Sequence, residues 1–429
     1  MKKFLFLISC LLLFASSASA RIYIPVDQPS DKRFPIAITH SVIYDGYRGL
    51  YSESEKIHSV IENDLLLSGY FDIITESAFL DQGTDITAET INFSQWTAIE
   101  AGALVKGLIK KEGGKYVIQL KLFDPYSAQM LVGKQYTADE KDIRSVAHRF
   151  SDEIMEALTG TRGIFNTKIA YSSAERKGKS IYVMDVDGEN NRKITGDSSI
   201  NLGPAWSPDG SQLAYASFKS GNPEIFASDV KTGSSKQITK NKNTNITPAW
   251  YVDNKTLYFS SSLGDSTEIL ATNHSSGKVR QITNYGGINI APRFSKDGST
   301  MVYSSTRAGR LHVYTEPVAG GEARRLTFVG VHNDSPDISP DGTKIVFCGQ
   351  DSSAFDIFIM NIDGTNIQRL TIDSGSNEHP RWSPDGRFIV FSSTRSGGPA
   401  VYMMRADGSN QVKISKGNGT LPDWGPRAD

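Results

Sequence analysis

One motif recurs at an interval of 44 residues: PAWSPDGSQLAYAS from Pro204, PAWYVDNKTLYFSS from Pro248, PRFSKDGSTMVYSS from Pro292, PDISPDGTKIVFCG from Pro336 and PRWSPDGRFIVFSS from Pro380. A truncated copy, PDWGPRAD, starts at Pro422. A second marker keeps the same interval through Thr195, Thr239, Thr283, Thr327, Thr371 and Ser415. A fixed period of this length means that one supersecondary unit is stacked on copies of itself.

Each unit reads as four short strands. A Pro-x-aromatic segment leads into two β-rich runs around a variable loop, such as LAYASF, SGNPE and IFASDV, and a short strand ending in KQIT follows. Four strands per unit and six units predict an all-β six-bladed propeller over residues 160–429. The third residue of each copy (Trp206, Trp250, Phe294, Ile338, Trp382, Trp424) should fill the wedge between blades. Asp-Gly pairs at Asp209, Asp297, Asp341 and Asp385, with Asp253-Asn254 in the remaining copy, suit tight hairpin turns and lack the dense oxygen ligands of a calcium loop. Asp187, Asp363 and Asp407, each followed by Gly, read the same way. The first unit has KIAY at Lys168–Tyr171 but no Pro-x-Trp before it, whereas PDW at Pro422–Trp424 has no unit after it. Joining the two closes the ring and removes its exposed edges.

Ahead of the repeat, residues 1–20 read as a secretory leader: Lys2 and Lys3, an apolar run from Phe4 to Phe14, then Ala18-Ser19-Ala20. That run is too short for a membrane anchor, and no later stretch approaches the ~20 apolar residues a span needs. Residues 21–159 mix both periodicities. Ile57, Val60, Ile61 and Leu65 mark one helical face, and Ile143, Val146, Ala147, Phe150, Ile154 and Leu158 mark another. Ala103–Ile109, Tyr116–Leu122 and Met130–Tyr136 read as strands, so this part is a small α/β domain. Arg21–Lys32 is either an edge strand or a free arm. The net charge is −1, or −3 once Lys2 and Lys3 leave with the leader, which offers no basic face for nucleic acid. With Cys10 in the leader, Cys348 is left single, and its strand KIVFC makes it a core residue.

In the joint LTGTRGIFNTKIAYSS (Leu158–Ser173), the PAWSPDGSQLAY blades, the terminal PDW and the order of its domains, the chain resembles the TolB family, periplasmic components of the Tol–Pal system. The resemblance implies a non-enzymatic periplasmic monomer without cofactor or metal, acting in outer-membrane integrity and constriction during division. It implies binding of the lipoprotein Pal at the channel mouth of the propeller and of TolA through the segment after the leader. Carried onto this chain, the Pal positions are Asn201, Asn245, Asn289, Asn333 and Asn377, three places before each proline, with Thr244, Thr247, Ile290, His332 and His379. The TolA positions are Arg21, Ile22, Tyr23, Ile24, Pro25 and Val26. The asparagines have a second reading as turn caps.

A hydrolase is disfavoured because neither G-x-S-x-G nor H-E-x-x-H occurs. The alternative that remains is a propeller binding a small ligand or glycan. A rim of amides and aliphatic side chains argues for protein over sugar.

Overall fold

A computed structural model describes Ile24 and residues 33–44, 50–80, 85–274, 276–350, 354–372 and 374–427. The leader, the rest of the expected TolA segment (Arg21, Ile22, Tyr23, Pro25 and Val26) and Lys32 lie outside the described residues.

The first domain is built on β1 (Phe34–Ile38), β2 (Val42–Ile43), α1 (Tyr51–Ser68), β3 (Phe71–Ile74), α2 (Phe93–Ala98), β4 (Ala103–Glu112), β5 (Lys115–Asp124), β6 (Gln129–Ala138) and α3 (Ile143–Thr159). The sheet runs β3-β1-β4-β5-β6, with β2 also against β4. Its β3, β1 and β4 are parallel, whereas β4, β5 and β6 are antiparallel. Alternation decides the faces. Ile36, Ile38, Val105 and Ile109 pack with α1 and α3, while Ala37, Leu104 and Phe123 pack with Trp96 of α2. The β4–β5 turn needs positive φ at Gly113 and Gly114 (57° and 81°). Both long helices stop at a left-handed glycine, Gly69 and Gly160.

Six four-stranded blades follow. Blade 2 has Asn201–Trp206 innermost, then Gln212–Ser220, Asn222–Asp229 and Ser235–Gln237. Blades 3, 4, 5 and 6 repeat this order from Asn245, Asn289, His332 and Asn377. Blade 1 is completed from the carboxy-terminal end: Thr420–Trp424 pairs antiparallel with Lys168–Ala174, in the register Asp423↔Ala170 and Trp424↔Ile169. The indole N–H of Trp424 donates to Thr167 Oγ1 at 2.8 Å. Ring closure therefore takes the form expected from the orphan motif.

The wedge residues sit between blades. Trp250 packs with Ala214 and Ile225 of blade 2 and with Leu257 and Phe259 of its own, and Trp382 joins Val346 and Ile357 to Ile389. The Asp-Gly pairs are turns: Asp209, Asp297, Asp341 and Asp385 each accept from the backbone N–H two residues on, at 2.9–3.1 Å. Gly188 is required for space as well as for its φ of +84°, since a Cβ there would lie 1.9 Å from the Ile414 carbonyl of the neighbouring blade. Cys348 is buried, and burial pushes its thiol pKa far up.

The two parts share one core. Leu65, Phe150 and Leu158 belong to the same cluster as Ile169, Met184, Phe388 and Val401. Arg387 of blade 6 donates to Thr159 Oγ1 (3.2 Å) and the Arg162 carbonyl (3.1 Å), and Asn410 donates to the Leu67 carbonyl (2.9 Å). A buried charge cluster lies at the joint. His148 Nδ1 is 2.8 Å from Asp64 Oδ2, Arg144 pairs with Asp187, and Lys168 pairs with Asp185. Burial works against the His148 imidazolium, but the Asp64 charge, hydrogen bonds to Asp185 and Asp64 and the Asp187 charge outweigh it, and its pKa is pushed up to about 10. No described helix is long and apolar enough to cross a membrane.

Candidate functional site: the channel mouth

The innermost strand of every blade is broken at the same place. Pairing with the second strand shifts between Leu202 and Ala205, Ile246 and Ala249, Ile290 and Arg293, Asp334 and Asp337, Glu378 and Arg381, and Thr420 and Asp423. The residue before each proline lies in the left-handed region: Gly203, Thr247, Ala291, Ser335, His379 and Leu421, with φ between 48° and 59°. Five of the six are not glycine, and such a conformation costs about 1–2 kcal/mol per residue. All six line one cavity of about 110 Å³ on the propeller axis, beside the prolines. Thr247 Oγ1 ties neighbouring kinks together, bonding Ser260 Oγ at 2.6 Å and accepting the Ala291 N–H at 3.2 Å.

Below the kinks, the variable residue of Pro-x-aromatic supplies charge. Arg293 Nη2 reaches Asp423 Oδ1 at 2.9 Å, and Arg381 Nε lies 3.6 Å from the same oxygen. Asp423 Oδ2 accepts the Trp206 N–H and Asp337 Oδ2 accepts the Trp382 N–H. Burial raises the Asp337 pKa against the attraction of Arg381 and Arg293. Burial, with the Arg293 charge, lowers Arg381 to about 10, so its guanidinium stays charged at neutral pH. His332 Nε2 lies 3.7 Å from Asp334 Oδ2. Burial opposes ionisation of Asp334, but the neighbouring His332, the Ser335 N–H and the electrostatic influence of His379 hold its pKa below the usual range.

The five asparagines do not form the surface of the rim. Asn201, Asn245, Asn289 and Asn377 are fully buried and Asn333 nearly so. Asn245 Nδ2 donates to Glu224 Oε2 (2.8 Å), Asn289 Nδ2 to Glu268 Oε2 (3.1 Å) and Asn377 Nδ2 to Asp356 Oδ1 (3.2 Å). Each acid also receives the repeat threonine: Thr239 on Glu224, Thr283 on Glu268 at 2.6 Å, and Thr371 on Asp356 at 2.7 Å. At the start of blade 5, Asn333 meets His312 of blade 4, which stands in the acid's place. Asn201 bonds Asp197 and the Lys179 carbonyl instead. A buried Thr–acid–Asn latch thus fastens the end of one blade to the start of the next, and the asparagines act as loop caps. The sequence reading missed the acids, although Glu224, Glu268, His312 and Asp356 keep the 44-residue interval.

What faces solvent at this end is more apolar than expected. The connections that lead into the innermost strands, equivalent to those carrying Thr244 and His332, present Ile200, Tyr285, Ile288, Phe328, Val329 and Ile372, with Phe328 and Val329 about 70% exposed. The rim therefore holds two aromatics, contrary to the expectation of amides and aliphatics alone. The Arg307 guanidinium covers one face of Tyr285 at 3.5 Å. Of the expected residues, Thr247 and His379 line the cavity with Ile290. Thr244 donates its N–H to Ser262 Oγ, and His332 packs edge-on to Phe355. Ile24 lies elsewhere, donating its N–H to the Leu158 carbonyl at 2.7 Å and packing half-buried on the shared core.

Comparison with known proteins bears on both parts of the chain. The family model described as the TolB beta propeller domain matches residues 155–428, and that of the TolB amino-terminal domain matches 22–131. The Tol-Pal system protein TolB of Syntrophotalea carbinolica is 33% identical over 215 residues, half of each chain. That of Desulfosudis oleivorans is 35% identical over 193 residues, 44% of each chain. The chain thus spans about half the length of the curated relatives it matches. The crystal structure of TolB from Acinetobacter baumannii superposes with a TM-score of 0.81 at 27% identity, covering 92% of this chain and 97% of that one.

Proposed function

The chain belongs to the TolB family, and from that premise we propose that it is a non-enzymatic periplasmic scaffold of the Tol–Pal envelope system, binding Pal at the channel mouth and TolA through its amino-terminal segment. Its work is then to support outer-membrane integrity and constriction during division. The observation that carries this reading is the apolar rim: Phe328, Val329 and Ile372 stand exposed around a strained, sixfold-kinked cavity. An apolar patch rimmed by polar groups suits a protein partner, and backbone strain repeated at one place is what a binding site tends to hold. On this account Thr244, Thr247, Ile290, His332 and His379 contact Pal, and Asn201, Asn245, Asn289, Asn333 and Asn377 hold the loops that present them.

For Arg21–Val26, the alternation of Ile22, Ile24 and Val26 suits addition to a sheet edge of TolA, where backbone hydrogen bonds supply affinity. Deleting Arg21–Val26 should abolish TolA binding in a direct titration and leave Pal binding intact. Persisting TolA affinity removes the segment from the mechanism.

The exposed rim aromatics Tyr285 and Phe328 favour a second reading, a glycan-binding propeller, because saccharides stack on such rings. Arg307 over Tyr285 and Arg325 at 4.9 Å from the Phe328 ring centre leave less free ring face for a sugar. Parallel titrations with the soluble domain of Pal and with peptidoglycan fragments decide between them: the scaffold reading requires saturable binding of the first, and binding of the second alone would replace it.

A further inference from the structure

The first domain carries a cluster unconnected with the channel. One stripe of α1 presents Tyr51, Glu55, His58 and Glu62, spaced so that they lie one above another on the helix. His40, between β1 and β2, stacks its ring on this stripe, 4.3 Å from the His58 ring centre with the planes 26° apart. Glu76, in a single 3-10 turn after β3, closes the third side. Its Oε1 lies 3.1 Å from His40 Nε2 and 3.7 Å from His58 Nε2.

We propose that His40, His58 and Glu76 bind one divalent transition-metal ion of the zinc class, with a fourth position open to water. Tetrahedral coordination with bonds of 2.0–2.1 Å places ligand atoms about 3.3 Å apart, and the distances to Glu76 Oε1 fall on either side of that value. The three ligand atoms lie within 4.8 Å of one another. Two imidazoles with one carboxylate suit zinc and its neighbours rather than calcium or magnesium, which take oxygen.

The outer contacts point the same way. A metal-binding imidazole keeps its proton on the other nitrogen and gives it to a carboxylate. His40 Nδ1 faces Glu55 Oε2 at 3.6 Å, and His58 Nδ1 faces Glu62 Oε2 at 4.0 Å. His40 Nδ1 is a buried atom without a hydrogen bond, and a small closing movement toward Glu55 satisfies it. His58 Nε2 now lies 3.1 Å from the Ile38 carbonyl. Coordination exchanges that contact for the metal through rotation about χ2, a soft torsion. The site is reachable, since the side chains of Glu76 and Glu55 are half exposed. Bound metal would pin three separate segments together: the β1–β2 link, α1 and the turn after β3.

The test is titration of the full-length, chelator-stripped protein with Zn2+ against a chromophoric competitor. One equivalent should bind. Glu55→Gln should weaken it about tenfold, the low end of what loss of such an outer partner costs, and His40→Ala or Glu76→Gln should weaken it further. His274→Ala, at a half-exposed histidine of blade 3 remote from the cluster, should change nothing. Metal-free melting curves show whether each variant is folded, and Glu76→Gln alone suffices if His40→Ala is not. Failure to bind one equivalent, or binding unaffected by both ligand substitutions, would reduce the cluster to hydrogen bonding and overturn the proposal.

Discussion

Arg293 of blade 4 and Asp423 of the strand that closes blade 1 meet at 2.9 Å across the propeller axis, joining blades that stand opposite one another in the ring. Arg381 approaches the same carboxylate, so the closing strand is held by charge at its inner side as well as by pairing at its edge. Asp423→Ala would leave the buried Arg381 and the half-buried Arg293 without this partner. Its expected cost is ~3–5 kcal/mol in denaturant unfolding, the range for breaking a buried pair from one side. A cost under ~1 kcal/mol would mean that water fills the channel and screens the charges.

Closure itself is tested by truncation. Removing Leu421–Asp429 takes away the innermost strand of blade 1 and the Trp424–Thr167 bond. The propeller should then lose its single cooperative unfolding transition. Trp424→Ala alone should cost ~3–5 kcal/mol, as other large buried aromatics do. A truncated protein that melts as sharply and as hot as the full chain would refute the scheme.

The latch makes the rim asparagines a stability matter. Asn289→Ala leaves Glu268 with one donor fewer inside the blade, which should lower stability by ~1–3 kcal/mol. Thermal melting of the single variant reads this directly. An unchanged melting temperature would return Asn289 to the list of candidate contact residues.

The joint between the domains should weaken in alkali. His148 has its pKa raised from the ordinary imidazole value of about 6.5 to about 10 by its carboxylate partners. Its contribution is therefore fully present below about pH 6.5 and is lost as the pH rises through about 10. Melting temperatures at about pH 6, 8 and 10 should fall for the wild type, whereas His148→Gln should start lower and lose this part of the slope. Parallel curves would show that His148 does not carry the pH dependence.

Much of this architecture is legible in the sequence because each blade solves the same packing problem with the same residues. The interval, the wedge aromatics, the Asp-Gly turns and the orphan PDW all report directly on the ring. The kinks are not legible, because Thr247, Ala291, Ser335, His379 and Leu421 share no side-chain chemistry that announces a positive φ. The asparagines carry two readings for a different reason. An amide in a loop reads either as a contact residue or as a turn cap, and only the distant acid at the same interval shows that it is turned inward. In the first domain, β1, β2 and β3 are five residues or fewer, too short for a periodicity to identify them. His40, His58 and Glu76 come together only through the parallel pairing of β1 with β3 and the packing of α1 on both.

The central claim, that the channel mouth is a protein-binding face, is tested most directly by calorimetric titration of the soluble domain of Pal into the wild type and into a variant combining Phe328→Ser, Val329→Ser and His332→Ala. These side chains are exposed or half-exposed and lie outside the latch, so the melting temperature should hold. The account predicts saturable binding by the wild type and at least about tenfold weaker binding by the variant, as expected where a few exposed apolar anchors dominate an interface. Equal affinity of the two proteins, or no binding by the wild type, would contradict it.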